Sequence, residues 1–368
     1  YEKNYSGLNV LVFTGEIPIK ANLNVIDAKS KSLYPGFINT LDRTGLVEIE
    51  SLRATDDSFE IGNNQADLKV SVAIHADSKH HHITRMTGTA YVLTPPGAGR
   101  FRGQGALIQL AGTTTEDVVI KDHGMFLTFP RTKKFNQKDG PKKNEAIEEL
   151  NEWIEACLNY EKEKMVINRN TKIEALIPYL TGKLPLYIEA NDAPTLMAAQ
   201  EWVKEHNLKA VYVSAKEAYK IAGYLGANNA EILFGPVHSL PGRSPQEAFD
   251  HPFRSPSLLE SAGCKVALFT NDINVTRNLP FQAATAEAWK VDDSFSAINS
   301  ISLRAAEILD LDAYIGSIEE GKVATFFLCE GNPLENGMPI EEMFIGGKKV
   351  LLESHQSQLR DRYLQRLR

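Results

Sequence analysis

LYIEANDAPTLMAAQEWVKEHNLKAVYVSAKEAYKIAGYLGANNAEILF, residues 186–234, is the stretch on which the fold turns. Short apolar runs at 186–188, 210–213 and 231–234 have the length of buried strands. Between them, 193–205 and 215–225 carry helical spacing. Working outward, further strand candidates fall at 34–38, 68–74, 89–93, 125–129 and 265–269, with helical segments at 144–163 and 257–262. Strands that alternate with helices imply right-handed crossovers and a parallel sheet, and eight such units close into a barrel.

The chain ends read differently. Strand-like runs at 8–13, 23–26, 323–328 and 342–352 flank the alternating part, and charged helix 356–368 follows a helix at 302–309. The expected fold class is α/β: a distorted TIM (β/α)8 barrel over 34–321, with a small β-sandwich domain formed by both termini, 1–33 and 322–368.

Composition narrows the function classes. The 368 residues carry a net charge of −7, which leaves no basic surface for nucleic acid or anionic lipid. No apolar run reaches the ~18 residues of a membrane span. Tyr1 in place of Met reads as a processed or trimmed start. The compartment stays open between cytoplasm and export to the periplasm. Cys157, Cys264 and Cys329 are scattered at no metal-ligand spacing and read as thiols packed as small hydrophobes.

Several segments together resemble the amidohydrolase superfamily, in particular a subgroup related to imidazolonepropionase. They are YPGFIN (34–39), RATDD (53–57), PGAGRFRGQGA (96–106), IEALIPYLTGKLPL (173–186), RNLPFQA (277–283), AEILDLD (306–312) and IGSIEEGK (315–322). The resemblance implies hydrolysis of amide or other C–N bonds with one or two divalent ions at the C-terminal mouth of the barrel. It also assigns the ligand positions: His-x-His after strand one, Lys or Glu at strand four, His at strands five and six, Asp at strand eight.

Those positions fall on Leu41, Asp42 and Arg43, then Arg131, Glu189 with Asn191 two residues on, Ser214 and Asp272. Leucine has no lone pair to offer, and a guanidinium does not deprotonate to become a ligand. The expectation is therefore no metal, with a zinc-like divalent ion as the alternative. Arg43 and Arg131 would instead pair with Glu189 and Asp272, within ~3.2 Å, and supply the missing positive charge. If the chain is catalytic, Glu189 and Asp272 are the candidate acid–base groups.

Among other histidines, His80, His81 and His82 are consecutive; on a helix such side chains would diverge by ~100° and could not all face one ion, so they read as solvated surface. His238 falls after the seventh strand candidate, near the mouth, as a pocket-lining or structural residue. His75 ends the 68–74 candidate at the same mouth, and His123 lies at the opposite face. The glycine-rich 97–105 segment reads as a pocket-lining loop, and basic 131–143 as a solvated loop. Ser214 and Lys216 do not make a nucleophile pair. Three function classes follow: a pseudoenzyme acting as a binding or partner subunit, an active hydrolase with atypical metal or metal-free acid–base chemistry, and a small-molecule binding protein. The partner would be a second copy or a related amidohydrolase.

Overall fold

The computed structural model describes residues 28, 31–132, 144–162, 169–240 and 248–367. Twelve strands are described: β1 Ser32–Pro35, β2 Phe37–Asn39, β3 Thr89–Thr94, β4 Phe101–Gln109, β5 Val119–Thr128, β6 Leu186–Ala190, β7 Ala210–Ser214, β8 Glu231–Phe234, β9 Lys265–Leu268, β10 Phe326–Cys329, β11 Ile340–Ile345 and β12 Lys348–Val350. The α-helices are α1 Lys79–Arg85, α2 Thr115–Val118, α3 Glu145–Lys162, α4 Thr171–Leu180, α5 Ala193–Glu205, α6 Ala222–Gly226, α7 His251–Ser261, α8 Leu279–Ala288, α9 Ala297–Ser300, α10 Leu303–Ile308 and α11 His355–Leu364.

Eight strands, β2 to β9, form one nearly closed barrel sheet in sequence order. β10, β11 and β12 form a separate antiparallel sheet with β1. The run at 34–38 is thus not one strand. Tyr34 pairs with Phe327 in the small sheet, while Phe37 opens the barrel beside Thr89. Gly36 is the pivot: a Cβ there would lie 2.6 Å from the Thr325 side chain and 2.7 Å from that of Ala90, so only glycine passes between the two sheets. The second layer expected of a sandwich drew on 8–13 and 23–26, which lie outside the described residues.

Two expectations about the barrel are corrected. Residues 68–74 are not a strand but contain a short 3-10 turn, Val70–Val72, with Val72 84% exposed. The alternating apolar residues look strand-like but do not share one covered face: Val70 and Ile74 are buried, whereas Leu68 and Val72 are exposed. The glycine-rich 97–105 segment is mostly strand β4, which runs antiparallel to both β3 and β5. The β2–β3 pairing and those from β5 to β9 are parallel. The barrel therefore carries an antiparallel meander, β3–β4–β5, within an otherwise parallel sheet. Gly105 makes it possible, since a Cβ there would meet the Phe126 ring at 2.7 Å and the His123 carbonyl at 3.0 Å.

Strands β3 to β9 supply the core, with Tyr91, Tyr187 and Tyr212 fully enclosed. Buried phenols need partners. Tyr91 Oη meets Thr325 Oγ1 at 2.7 Å, Tyr187 Oη meets His123 Nε2 at 2.7 Å, and Tyr212 Oη donates to Gln200 Oε1 at 3.0 Å. The three cysteines are free and buried, as their scatter suggests.

The seam between β2 and β9 is made differently. Asn39 Nδ2 donates to Thr270 Oγ1 at 2.7 Å, Thr270 N donates back to Asn39 Oδ1, and Thr40 Oγ1 donates to the Leu268 carbonyl. Apart from one backbone bond, from Asn271 N to the Leu41 carbonyl, side chains rather than a ladder close the barrel.

Candidate functional site: the split barrel mouth

The C-terminal ends of the barrel strands bring the sequence-predicted residues to one face but not to one point. On the seam side, Asp42 is fully buried. Its Oδ1 accepts from Thr44 N at 3.1 Å and Thr44 Oγ1 at 2.6 Å; its Oδ2 accepts from Thr270 Oγ1 at 2.7 Å and Asp272 N at 3.1 Å. Burial raises its pKa from the ordinary 3.8, and these hydrogen bonds oppose that rise. Leu41 is buried beside it. Arg43 leaves the mouth to meet Glu50 at 2.9 Å, and Asn274 Nδ2 donates to the other Glu50 oxygen. Asp272 Oδ1 accepts from Asn274 N at 2.8 Å.

On the opposite side lies Glu189, in β6. The expected partners do not reach it. Arg131 is 87% exposed and meets Asp192 at 3.3 Å. The cation that does reach Glu189 is Arg102, from β4, with Nη1 2.6 Å from Oε2. Arg102 is buried, and its Nε and Nη2 both donate to the Pro96 carbonyl. Its guanidinium also lies 5.7 Å from the centre of the Phe126 ring. Burial lowers the arginine pKa and the Glu189 carboxylate opposes that shift, yet a guanidinium stays charged in proteins.

The meander explains this geometry. β4 re-enters the barrel between β3 and β5 and directs Arg102 toward β6, which a plain parallel barrel would not do. Arg102 thus lies in a strand rather than in the expected loop, and it, not Arg43 or Arg131, pairs with Glu189.

Between the ends of β5, β6, β7 and β8 opens a cavity of about 580 Å³. Of the predicted site residues, Arg131, Glu189 and Asn191 line it, while Leu41, Asp42, Arg43, Ser214, His238 and Asp272 do not. His238 turns away to Thr285 Oγ1, 2.8 Å from its Nε2. Asn191 Nδ2 is 3.4 Å from Glu189 Oε1, and its enclosed Oδ1 finds no donor among the described residues. Tyr219 and His251 stack at 4.2 Å on the far wall.

The β7 end is strained. Ser214 and Ala215 have φ of 67° and 48°, in the left-handed region that side chains disfavour, and Ala215 N donates to the Val213 carbonyl two residues back. Such strain persists only where the surroundings impose it, and it clusters at functional sites. Here it turns the chain so that Lys216 lines the cavity.

The other histidines are accounted for structurally. His81 is buried rather than solvated, with a pKa pushed down to about 3 by burial. His80 Nε2 contacts the Glu48 carbonyl, His82 pairs with Arg85, and His75 meets Glu48 at 3.3 Å. His123 lies inside β5, toward the face opposite the mouth, and burial pushes its pKa down to about 3. Most of the basic 131–143 stretch lies outside the described residues. Among the described residues, no three His, Cys, Asp or Glu side chains gather as a metal-holding group. Nor is any helix among them long and apolar enough to cross a membrane.

This architecture is an α/β barrel of eight strands with a separate antiparallel sheet, a fold that solved amidohydrolases share. Solved structures with the same fold include an amidohydrolase from Thermotoga maritima MSB8, at 22% identity and TM-score 0.81 over 93% of this chain and 94% of that one. An amidohydrolase from an environmental sample of the Sargasso Sea matches at 13% identity and TM-score 0.51, over 98% and 91%. Phenylurea hydrolase B matches at 12% and 0.54, over 91% and 88%. No family model matches the chain, and no curated protein matches it. At these identities the likeness is one of fold, and function has to be read from the site.

Proposed function

We propose that this chain is an amidohydrolase-fold barrel that has lost its metal centre and works as a non-catalytic binding subunit. The observation that carries the reading is the Arg102–Glu189 pair. A fixed cation occupies one oxygen of the only carboxylate at the strand-five position, where the fold's hydrolases are expected to hold an ion. A second cation beside a guanidinium would be repelled. At the seam, both Asp42 oxygens are already filled by neutral donors. Leu41, Arg43 and Ser214 add no imidazole or carboxylate. The donor set thus does not fit a transition-metal site.

The two acid–base candidates are engaged elsewhere. Glu189 is held by Arg102, and Asp272 lies off the cavity with its Oδ1 on the Asn274 N–H. A binding role is supported by the cavity, whose size falls in the range of about 300–1,000 Å³ common for small-molecule pockets. A partner role, with a second copy or a related amidohydrolase, is supported by the loop between β2 and β3. It leaves Ile49, Ile61 and Val72 exposed, apolar surface that a partner would cover.

Elemental analysis of the full chain, purified without chelator, tests the reading. Zinc, manganese and iron are expected well below stoichiometry. A stoichiometric ion that leaves on dialysis against chelator, with a matching loss of thermal stability, overturns it.

A further inference from the structure

We infer that the mouth cavity takes a small organic carboxylate with an apolar body, and that Lys216 is the residue that holds its charge. This deepens the binding reading above and rests on it only for the absence of hydrolysis. The argument is a balance of charges. Five lining groups ordinarily carry charge at neutral pH: Arg131, Glu189, Asp192, Lys216 and Glu217. Arg131 meets Asp192, and Asp192 Oδ1 also caps α5 by accepting from Thr195 N. Glu217 meets Lys220 at 2.7 Å and accepts from Ala193 N. Glu189 meets Arg102. Lys216 alone has no partner among the described residues, so among them the cavity wall carries one uncompensated positive charge.

The rest of the wall says what accompanies the anion. Leu240 and Pro236, backed by the buried Phe129 and Phe234, make part of the lining apolar, which favours a hydrocarbon or aromatic body over a polyol or a polyanion. A multiply charged ligand such as a nucleotide would find only one free cation among the described residues and would face Glu189, Asp192 and Glu217. The strained turn at Ser214 and Ala215 keeps the lysine at the lip of the cavity. An ammonium on a flexible stem then meets a carboxylate in one charge-assisted contact.

Two probes of similar shape and opposite charge test this: 3-phenylpropionate and 2-phenylethylamine. Each is titrated into the full chain at low ionic strength and followed by calorimetry. Saturable binding of the phenylpropionate is expected, with binding of the amine at least about tenfold weaker, since one charge-assisted contact is worth about that factor. Lys216→Met is expected to weaken phenylpropionate binding about tenfold, while Lys216→Arg, which keeps the charge, stays within about threefold. Equal binding of both probes, no binding of either, or an unchanged affinity in Lys216→Met overturns the inference. Metal analysis of the same sample separates the two readings. Stoichiometric metal with lysine-dependent binding overturns the metal-free reading alone, and metal-free protein without binding overturns this one alone.

Discussion

Asp42 and Glu189 are two carboxylates at the same barrel mouth, and they are held in opposite ways. Asp42 is fully enclosed and has four neutral donors, two from backbone and two from threonine hydroxyls. Glu189 is partly open to the cavity and has one full positive charge against it. The first arrangement ties the ends of β2 and β9 together and leaves no room for a ligand. The second neutralises charge while leaving Glu189 on the cavity wall. The mouth divides into a structural half, tied by hydrogen bonds, and a cavity-lining half, receptive under the binding role we propose.

Breaking the structural half should cost most. Asp42→Ala strands four buried or partly buried donors, and each unsatisfied group costs roughly 1–3 kcal/mol, not additively. A loss of about 4 kcal/mol in unfolding free energy is expected from urea denaturation. A loss below about 1 kcal/mol would mean that the seam is held by something other than this carboxylate.

The receptive half comes next. Arg102→Met leaves Glu189 beside apolar surface and the Pro96 carbonyl without its donors, for a loss of about 3 kcal/mol. Adding Glu189→Leu should recover most of it, because the cost lies in the unpaired charge rather than in the missing pair. If the double variant is as unstable as the single one, the pair is not what Arg102 is there to make.

The smallest effect sharpens the comparison through pH. Burial raises the folded-state pKa of Asp42 above its ordinary 3.8, so the native state binds more protons than the unfolded one just above that value. The contribution of this group is therefore fully present below about 3.8 and lost as pH rises through the folded value. The stability gap between wild type and Asp42→Asn should be widest in acid and narrow toward neutrality. A gap that widens with rising pH would show the carboxylate to be held ionised by its donors.

Much of the barrel was legible in the sequence, for physical reasons that also explain the failures. β6 to β9 are continuous apolar runs because parallel strands are buried on both faces, and such runs stand out. The 68–74 segment copies that signal through alternation, yet Val72 faces solvent. β4 hides because Gly103 and Gly105 look like loop punctuation, although one adopts a φ of 109° and the other admits the Phe126 ring. Once β4 is missed, Arg102 has no address, and the guanidinium role passes by default to Arg43 and Arg131. The cation that meets Glu189 could not be read from the sequence, because it arrives from β4, a strand that the sequence pattern hid.

The seam has one more consequence, a topological one. Its hydrogen-bonded partners stand 228–231 residues apart in the chain, whereas β3, β4 and β5 complete their pairings within 89–128. Closing a loop of that length is entropically costly, and that cost precedes any contact it brings. No described strand has to leave a ladder neighbour for the β2–β9 joint to part. The barrel is thus a ribbon of eight strands fastened by a clasp, and the buried Asp42 carboxylate is the catch of that clasp.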